Sequence, residues 1–537
     1  MTERRQTMGI YFNPGNEAFR KDAKSEIYID KTGLINVTNK LLNEEKNCIS
    51  VSHARRFGKS QAARMLKSYY SRGCDSKELF SNLEISKSEN FETHLNKYNT
   101  IHLDISSFED DYKENIIEKI KEHLFAEIKA VYPDVDYSAS TASVLNNVYL
   151  KTVSDEKPYG IKFVIIIDEW DCIIRNYSDS PELVHKYMKF LHALFKSEES
   201  KSFLGFGYIT GIMPIKKIKN ESALNNFMEY TMIEADEIAP YFGFTEEDVR
   251  MLCQKYDMPF ESVKQWYNGY VFDDYHMYNP NSVCSAMMKH KLRSYWKNTS
   301  SFESINTFIT LNFDGLKEAV ISMLNDQKVR VNVTKFQNDL SMINSKDDAL
   351  TALIHLGYLG YDAERGKAFI PNYEIKTAFQ SALETGSWKD IADTLSRCED
   401  LLWATIDGEA DKVAEIIEIA HETYSSILKY NDENAMSCAI TMAYFTAPAY
   451  YQVIRELPSG KGFADIVMLP RAEAGNKPAM IIELKYDKDA DAAIKQIKEK
   501  RYSGALKEYK NEILLVGINY NKDKHHECVI ESLTPEW

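Results

Sequence analysis

The chain has 537 residues, 44% of them hydrophobic and 27% charged, with a formal net charge of −15. That length exceeds one ordinary core and suggests about three units. The acidic balance argues against a surface coated with basic groups for nucleic acid. No apolar run reaches the length of about 18 residues needed to span a bilayer, so no membrane partner is expected. Met1–Gln6 lacks an apolar signal core, and the eight cysteines are scattered without a CxxC pair. Both points suggest a reducing, cytoplasmic compartment.

In chain order, the first 240 residues alternate helical patterns with short β-branched runs. The runs are Ile49–Val51, Thr100–Ile105, Phe163–Ile167 and Phe203–Thr210. Strands spaced by helices imply βαβ units and a mainly parallel sheet. From about 241 to 400 helical spacing dominates, as in Glu246–Tyr256, Asn312–Asn325 and Asp347–His355. Trp266-Tyr267-Asn268-Gly269-Tyr270 interrupts it and reads as a structural turn. From about 401 the pattern is α-β-β-α-β, with a further strand near Ala449–Glu456. The expected segments are therefore 1–240, 241–400 and 401–537. The expected class is α/β: a parallel N-terminal sheet, a mostly helical middle and a smaller C-terminal α/β unit.

The sharpest motif directly follows the first strand: Arg55-Arg56-Phe57-Gly58-Lys59-Ser60. Gly58 lets backbone approach phosphates, and Lys59 can bridge the β and γ oxygens. Ser60 can ligate Mg²⁺ while the following helix offers N-terminal amides. Arg56 precedes the phosphates and could meet γ-phosphate charge. His53 stands where the full pattern has its first glycine. By itself Gly-Lys-Ser is common by chance, but a second motif supports it. The apolar strand Phe163–Ile167 ends in Asp168-Glu169, one acid for the Mg²⁺ shell and one to polarise the attacking water. The strand ending at Thr210 offers a polar group to sense the γ-phosphate. ATP and Mg²⁺ are the cofactors implied.

The tail carries Gly462-Phe463-Ala464-Asp465 and Ile481-Ile482-Glu483-Leu484-Lys485. Glu483 and Lys485 share one strand face, and a hairpin would bring Asp465 beside them. Two facing carboxylates hold a divalent metal that acidifies a bound water. Gln496 on the next helix and Lys500 in a local basic run are candidate nucleic-acid contacts, and Glu433 a further acid. The blander reading of that run is a solvated helix face. His525-His526-Glu527-Cys528 lacks a partner pair at ligand spacing and reads as a solvated turn.

The chain resembles bacterial AAA-ATPase-like proteins with a C-terminal PD-(D/E)XK nuclease-superfamily domain. The resemblance rests on Tyr28-Ile29-Asp30-Lys31-Thr32, the phosphate loop, Ile167-Asp168-Glu169, Thr210-Gly211-Ile212 and Tyr278-Asn279-Pro280, then on Asp465, Glu483-Leu484-Lys485 and Gln496–Tyr502. It implies ATP and Mg²⁺ at Lys59, Ser60, Asp168 and Glu169, and a metal-dependent nuclease core at Asp465, Glu483 and Lys485, with a P-loop NTPase fold and a restriction-endonuclease-like fold respectively. Phe463 stands where such proteins often have arginine. The functions in view are an ATPase coupled to a nuclease acting on DNA, a nucleotide-switched binding module with a silent nuclease fold, and an ATP-driven homo-oligomer.

Overall fold

The computed structural model describes residues 9–112, 115–155, 158–215, 224–272, 274–296, 305, 307–308, 313–336, 343–385, 393, 397–428, 440–459, 462–471, 475–499, 512–521 and 525–533. The chain divides into two compact units. The first holds Met1–Phe260, Tyr267–His290 and Arg330–Ala368, and the second holds Glu261–Trp266, Lys291–Val329 and Phe369–Trp537.

In the first unit β1 (Cys48–Ser52), β2 (Asn99–Asp104), β3 (Phe163–Asp168), β4 (Leu204–Gly211) and β5 (Met228–Thr231) form one sheet in the order β2-β3-β4-β1-β5. All its pairings are parallel. Successive residues of β3 face opposite sides: Ile165 and Ile167 enter one core with Ile101 and Leu103, while Val164 and Ile166 enter another with Ile49 and Val51. Burial on both faces explains why these strands are near-continuous apolar runs rather than alternating ones. The helix α1 (Lys59–Tyr70) buries Ala62, Ala63, Met65, Leu66, Tyr69 and Tyr70 on the second face. β4 lies between the phosphate-loop strand and the acid-bearing strand, and the register sets Val51 and Asp168 on either side of Thr210. The polar residues thus gather at the carboxyl ends of the strands, where parallel sheets place ligands.

The middle segment is largely helical and adds a small sheet of β6 (Phe244–Thr245), β7 (Tyr270–Phe272) and β8 (Tyr275–Tyr278). Gly269, with φ of 114°, turns the chain into β7.

In the second unit β9 (Tyr451–Ser459), β10 (Gly462–Pro470), β11 (Ala479–Tyr486), β12 (Ile513–Tyr520) and β13 (His526–Leu533) form a mixed sheet in sequential order. Only β11 and β12 pair in parallel; the others are antiparallel. A parallel pair needs a crossover, and the described part of this one is the helix Ala490–Glu499. That helix buries Ala490, Ala493, Ile494 and Ile497. It can approach β12 because Gly517 has no side chain: an added Cβ would lie 2.5 Å from the Ala490 carbonyl oxygen.

Besides the small sheet of the middle segment, two elements differ from the sequence reading. β5 is an unanticipated edge strand. The segment expected as a solvated turn at His525–Cys528 instead enters β13, with His526 opposite Tyr520 and buried, 2.9 Å from His421 Nδ1 through its Nε2. β13 pairs with the strand directly before it, and the buried contact with His421, 105 positions earlier and invisible to local patterning, helps override the turn-like composition.

Among the described residues no helix is long and apolar enough to cross a membrane.

Candidate functional site

The phosphate loop runs from His53 to Gly58 between β1 and α1. Gly58 has φ of 91°, and no heavy atom lies within 4 Å of where its Cβ would be. The backbone is therefore open to a close ligand there, and glycine takes the left-handed conformation at no steric cost. Arg56 also takes positive φ, at 70°. Lys59 is buried, and its ammonium donates to the carbonyl oxygens of His53 at 2.8 Å and Ala54 at 2.9 Å. Burial pulls its pKa down, while Glu169, Asp168 and Asp171 pull it up.

Asp168 ends β3 in a buried position near the Ser60 side chain, and its Oδ1 accepts from the Glu169 amide at 3.1 Å. Burial pushes its pKa up to about 6, the Ser60 hydroxyl opposing and the charges of Glu169 and Asp104 adding. A hydroxyl beside a carboxylate at a helix N-terminus is the donor chemistry of a small hard cation, which takes one or two carboxylates together with phosphate oxygens. These residues fit Mg²⁺ on a triphosphate.

Gly58, Lys59, Ser60, Arg55, Arg56 and Glu169 line a cavity of about 520 Å³ together with apolar groups such as Ile27, Ile29, Leu34 and Cys284. A lining that mixes apolar groups with cations and a phosphate loop suits a nucleotide's base and phosphates. Ile27–Ile29 and Cys284 are far apart in sequence, and no local signal could join them. Thr210, taken from the sequence as a γ-phosphate sensor, is fully buried, and its hydroxyl donates to the Val51 carbonyl at 3.1 Å. It ties β4 to β1 and is not among the residues lining the cavity.

His53 lies beneath the loop, wholly buried against Phe242 and Phe272, with ring centroids at 5.4 and 5.1 Å. Neither ring nitrogen has a hydrogen-bond partner. Burial, aided by the Lys59 charge, pushes its pKa down from 6.5 to about 3. The sign follows: the unfolded chain binds this proton below pH 6.5 and the folded chain does not, so stability is full above that pH and falls on acidification toward pH 3. At pH 5 the loss from this residue is on the order of 2 kcal/mol. Denaturant unfolding of wild type and His53→Phe at pH 7 and pH 5 checks it. The pH-dependent loss should be smaller in the variant by about that amount, and an equal loss in both would reject it.

In the second unit, β10 and β11 pair as far as Ile466 and Ile482. One position further, Asp465 and Glu483 stand opposite each other. There the Asp465 Oδ2 accepts from the Leu484 amide at 2.7 Å, a side chain replacing a ladder bond. Glu483 is buried, and its Oε1 accepts from Lys485 Nζ at 2.8 Å and from Gln496 Nε2. The fold therefore brings together Asp465, Glu483, Lys485 and Gln496. Lys500 and Glu433 lie outside the described residues. Among the described residues no three His, Cys, Asp or Glu groups converge on one point. A metal here would be held by the two carboxylates together with substrate and water oxygens, as Mg²⁺ commonly is.

Comparison with known proteins agrees with both halves. Residues 15–219 match a family described as a predicted AAA-ATPase, and residues 431–529 match the PD-(D/E)XK nuclease superfamily. An uncharacterized protein in the vnfD 5′ region of Azotobacter chroococcum is 21% identical over 405 residues, covering 70% of this chain and 72% of that protein. Among solved structures, a DNA replication initiation factor is 10% identical, covering 78% of this chain and 89% of its own, at a TM-score of 0.27. The Aeropyrum pernix ORC2 protein is 11% identical, covering 68% and 99%, at a TM-score of 0.28. The replication initiator DnaA bound to AMPPCP and single-stranded DNA is 10% identical, covering 79% and 90%, at 0.27. The strand order and the phosphate loop, rather than these overlays, establish the fold. The chain therefore joins a region that matches the AAA-ATPase-like family, residues 15–219, to one that matches the PD-(D/E)XK nuclease superfamily, residues 431–529.

Proposed function

We propose that the chain binds ATP with Mg²⁺ at the phosphate loop, hydrolyses it, and uses its nucleotide state to gate a Mg²⁺-dependent nuclease acting on DNA. The observation that carries the first part is the buried Lys59, its ammonium held by the His53 and Ala54 carbonyls, in a loop whose Gly58 and Ser60 line one cavity with Glu169. Lys59 would hold β and γ oxygens, and Ser60 and Asp168 would hold the cation, which supplies charge neutralisation on the phosphates. Glu169 would take the proton of the attacking water as its oxygen bonds to the γ-phosphorus. The bond from that phosphorus to the β–γ bridging oxygen breaks, and ADP leaves with the electron pair. In the second unit Asp465 and Glu483 would hold a metal, and Lys485 would stabilise charge on the scissile phosphate. Gln496 and Lys500 would contact DNA. The working division is 1–240 for the ATPase, 241–400 for the helical segment and 401–537 for the nuclease-like part.

One observation favours a second reading, a nucleotide-switched binding module with a silent nuclease fold. Glu483 and Asp465 already accept hydrogen bonds within the protein, so cleavage requires rearranging them. Calorimetric titration of the full chain with ATP and MgCl₂ tests the shared core of both readings. Saturable uptake that weakens when Mg²⁺ is chelated is expected, and no uptake by folded protein rejects both.

A further inference from the structure

Glu169 does not stand free in its cavity. It takes a left-handed φ of 51°, and its Oε2 accepts from Arg175 Nη2 at 3.0 Å. Arg175 lies on the short helix Cys172–Asn176, and its Nε donates to Asp171 Oδ2 at 2.8 Å. Asp171 is fully buried. The same Oδ2 accepts from the amides of Ile212 at 3.2 Å and Met213 at 2.9 Å, just beyond β4. That segment is tied in turn to the root of the phosphate loop. The His53 amide donates to the Gly211 carbonyl at 3.2 Å, and the Ser52 hydroxyl to the Met213 carbonyl at 3.0 Å. A continuous chain of hydrogen bonds therefore runs from the phosphate loop through residues 211–213, Asp171 and Arg175 to Glu169.

We propose that Arg175 is a positioning residue that restrains Glu169 and keeps the hydrolysis of bound ATP slow. This rests on the ATPase reading above. A carboxylate engaged by a guanidinium has one oxygen occupied and its charge compensated, which makes it a poorer acceptor for a water's proton. The pair is half-shielded, with side-chain exposures of 13% for Arg175 and 26% for Glu169, so solvent screens it little. Asp171 fixes the guanidinium from behind. Movement of residues 211–213 with the phosphate loop would shift Arg175, so the restraint can respond to nucleotide.

Single-turnover hydrolysis of prebound ATP, with the full chain in excess, tests this alongside calorimetric ATP affinity. Arg175→Gln keeps a donor for Asp171 but cannot reach Glu169. It should raise the first-order hydrolysis constant about tenfold while ATP affinity stays within about twofold, since general-base efficiency follows the base's freedom and basicity. Arg175→Lys, which keeps the charge, should stay near the wild-type rate. Asp171→Asn, isosteric and still able to accept the two amides, should loosen Arg175 and raise the constant in the same direction by less. An increase without an affinity change is a readout that a merely structural role would not produce. Should Arg175→Gln fail to fold, Asp171→Asn decides alone. Unchanged or slower hydrolysis at normal ATP affinity in the folded variants overturns the restraint and leaves the ATPase reading standing. A wild type that takes up no ATP overturns both.

Discussion

Lys59→Ala should weaken ATP binding by about a hundredfold or more and abolish measurable turnover. The ammonium is buried at the start of α1 and donates to two loop carbonyls in the structure. Bound phosphates would replace those carbonyls with charged acceptors. Hydrogen bonds to charged groups contribute about 1.5–3 kcal/mol each, so losing two removes about 3 kcal/mol or more. A tenfold change in affinity is about 1.4 kcal/mol, which gives the expected factor. Calorimetry on the variant, with circular dichroism to confirm the fold, is the measurement. Lys59→Met keeps the aliphatic volume inside the loop and separates loss of charge from loss of packing. Binding within about threefold of wild type in both variants would remove Lys59 from the nucleotide site.

Glu483→Gln should lower Mg²⁺-dependent DNA cleavage by about a thousandfold and leave ATP uptake unchanged. The carboxylate is 1% exposed and follows the apolar run Ala479–Ile482 on its strand. Burying an ion there is costly unless it is paired, and here it is met by Lys485 and Gln496. A metal held by such a carboxylate supplies several kcal/mol of transition-state charge stabilisation, and each 1.36 kcal/mol is about tenfold in rate. The amide keeps the shape but removes the charge that would bind the cation. Cleavage assays on supercoiled and single-stranded DNA, with Mg²⁺ or Mn²⁺, read the effect. Equal cutting by wild type and variant would move catalysis away from this strand. No cutting by wild type, with ATP uptake intact, would leave the silent-module reading in possession.

Much of the geometry at both candidate sites was legible in the sequence. The phosphate loop is contiguous in sequence, so its geometry follows from a strand, a glycine with positive φ and a helix N-terminus. The acids closing β3 were legible because a buried apolar strand that ends in two carboxylates is a local anomaly. The hairpin that sets Asp465 opposite Glu483 followed from two strands and a short connection. Other features were not legible. Arg175 reads as an ordinary helix residue until the backbone turn at Glu169 brings its guanidinium to that side chain. Thr210 reads as a sensor until β4 inserts beside β1 and turns its hydroxyl onto Val51.

By itself the sequence determined which residues have the chemistry for phosphate and metal, and the sheet class that carries them, because those depend on neighbours within a few positions along the chain. Only the tertiary structure decided the strand order, the wall of the nucleotide cavity and the partners that hold Glu169 and Glu483. Those depend on contacts between residues tens to hundreds of positions apart, which local pattern does not encode.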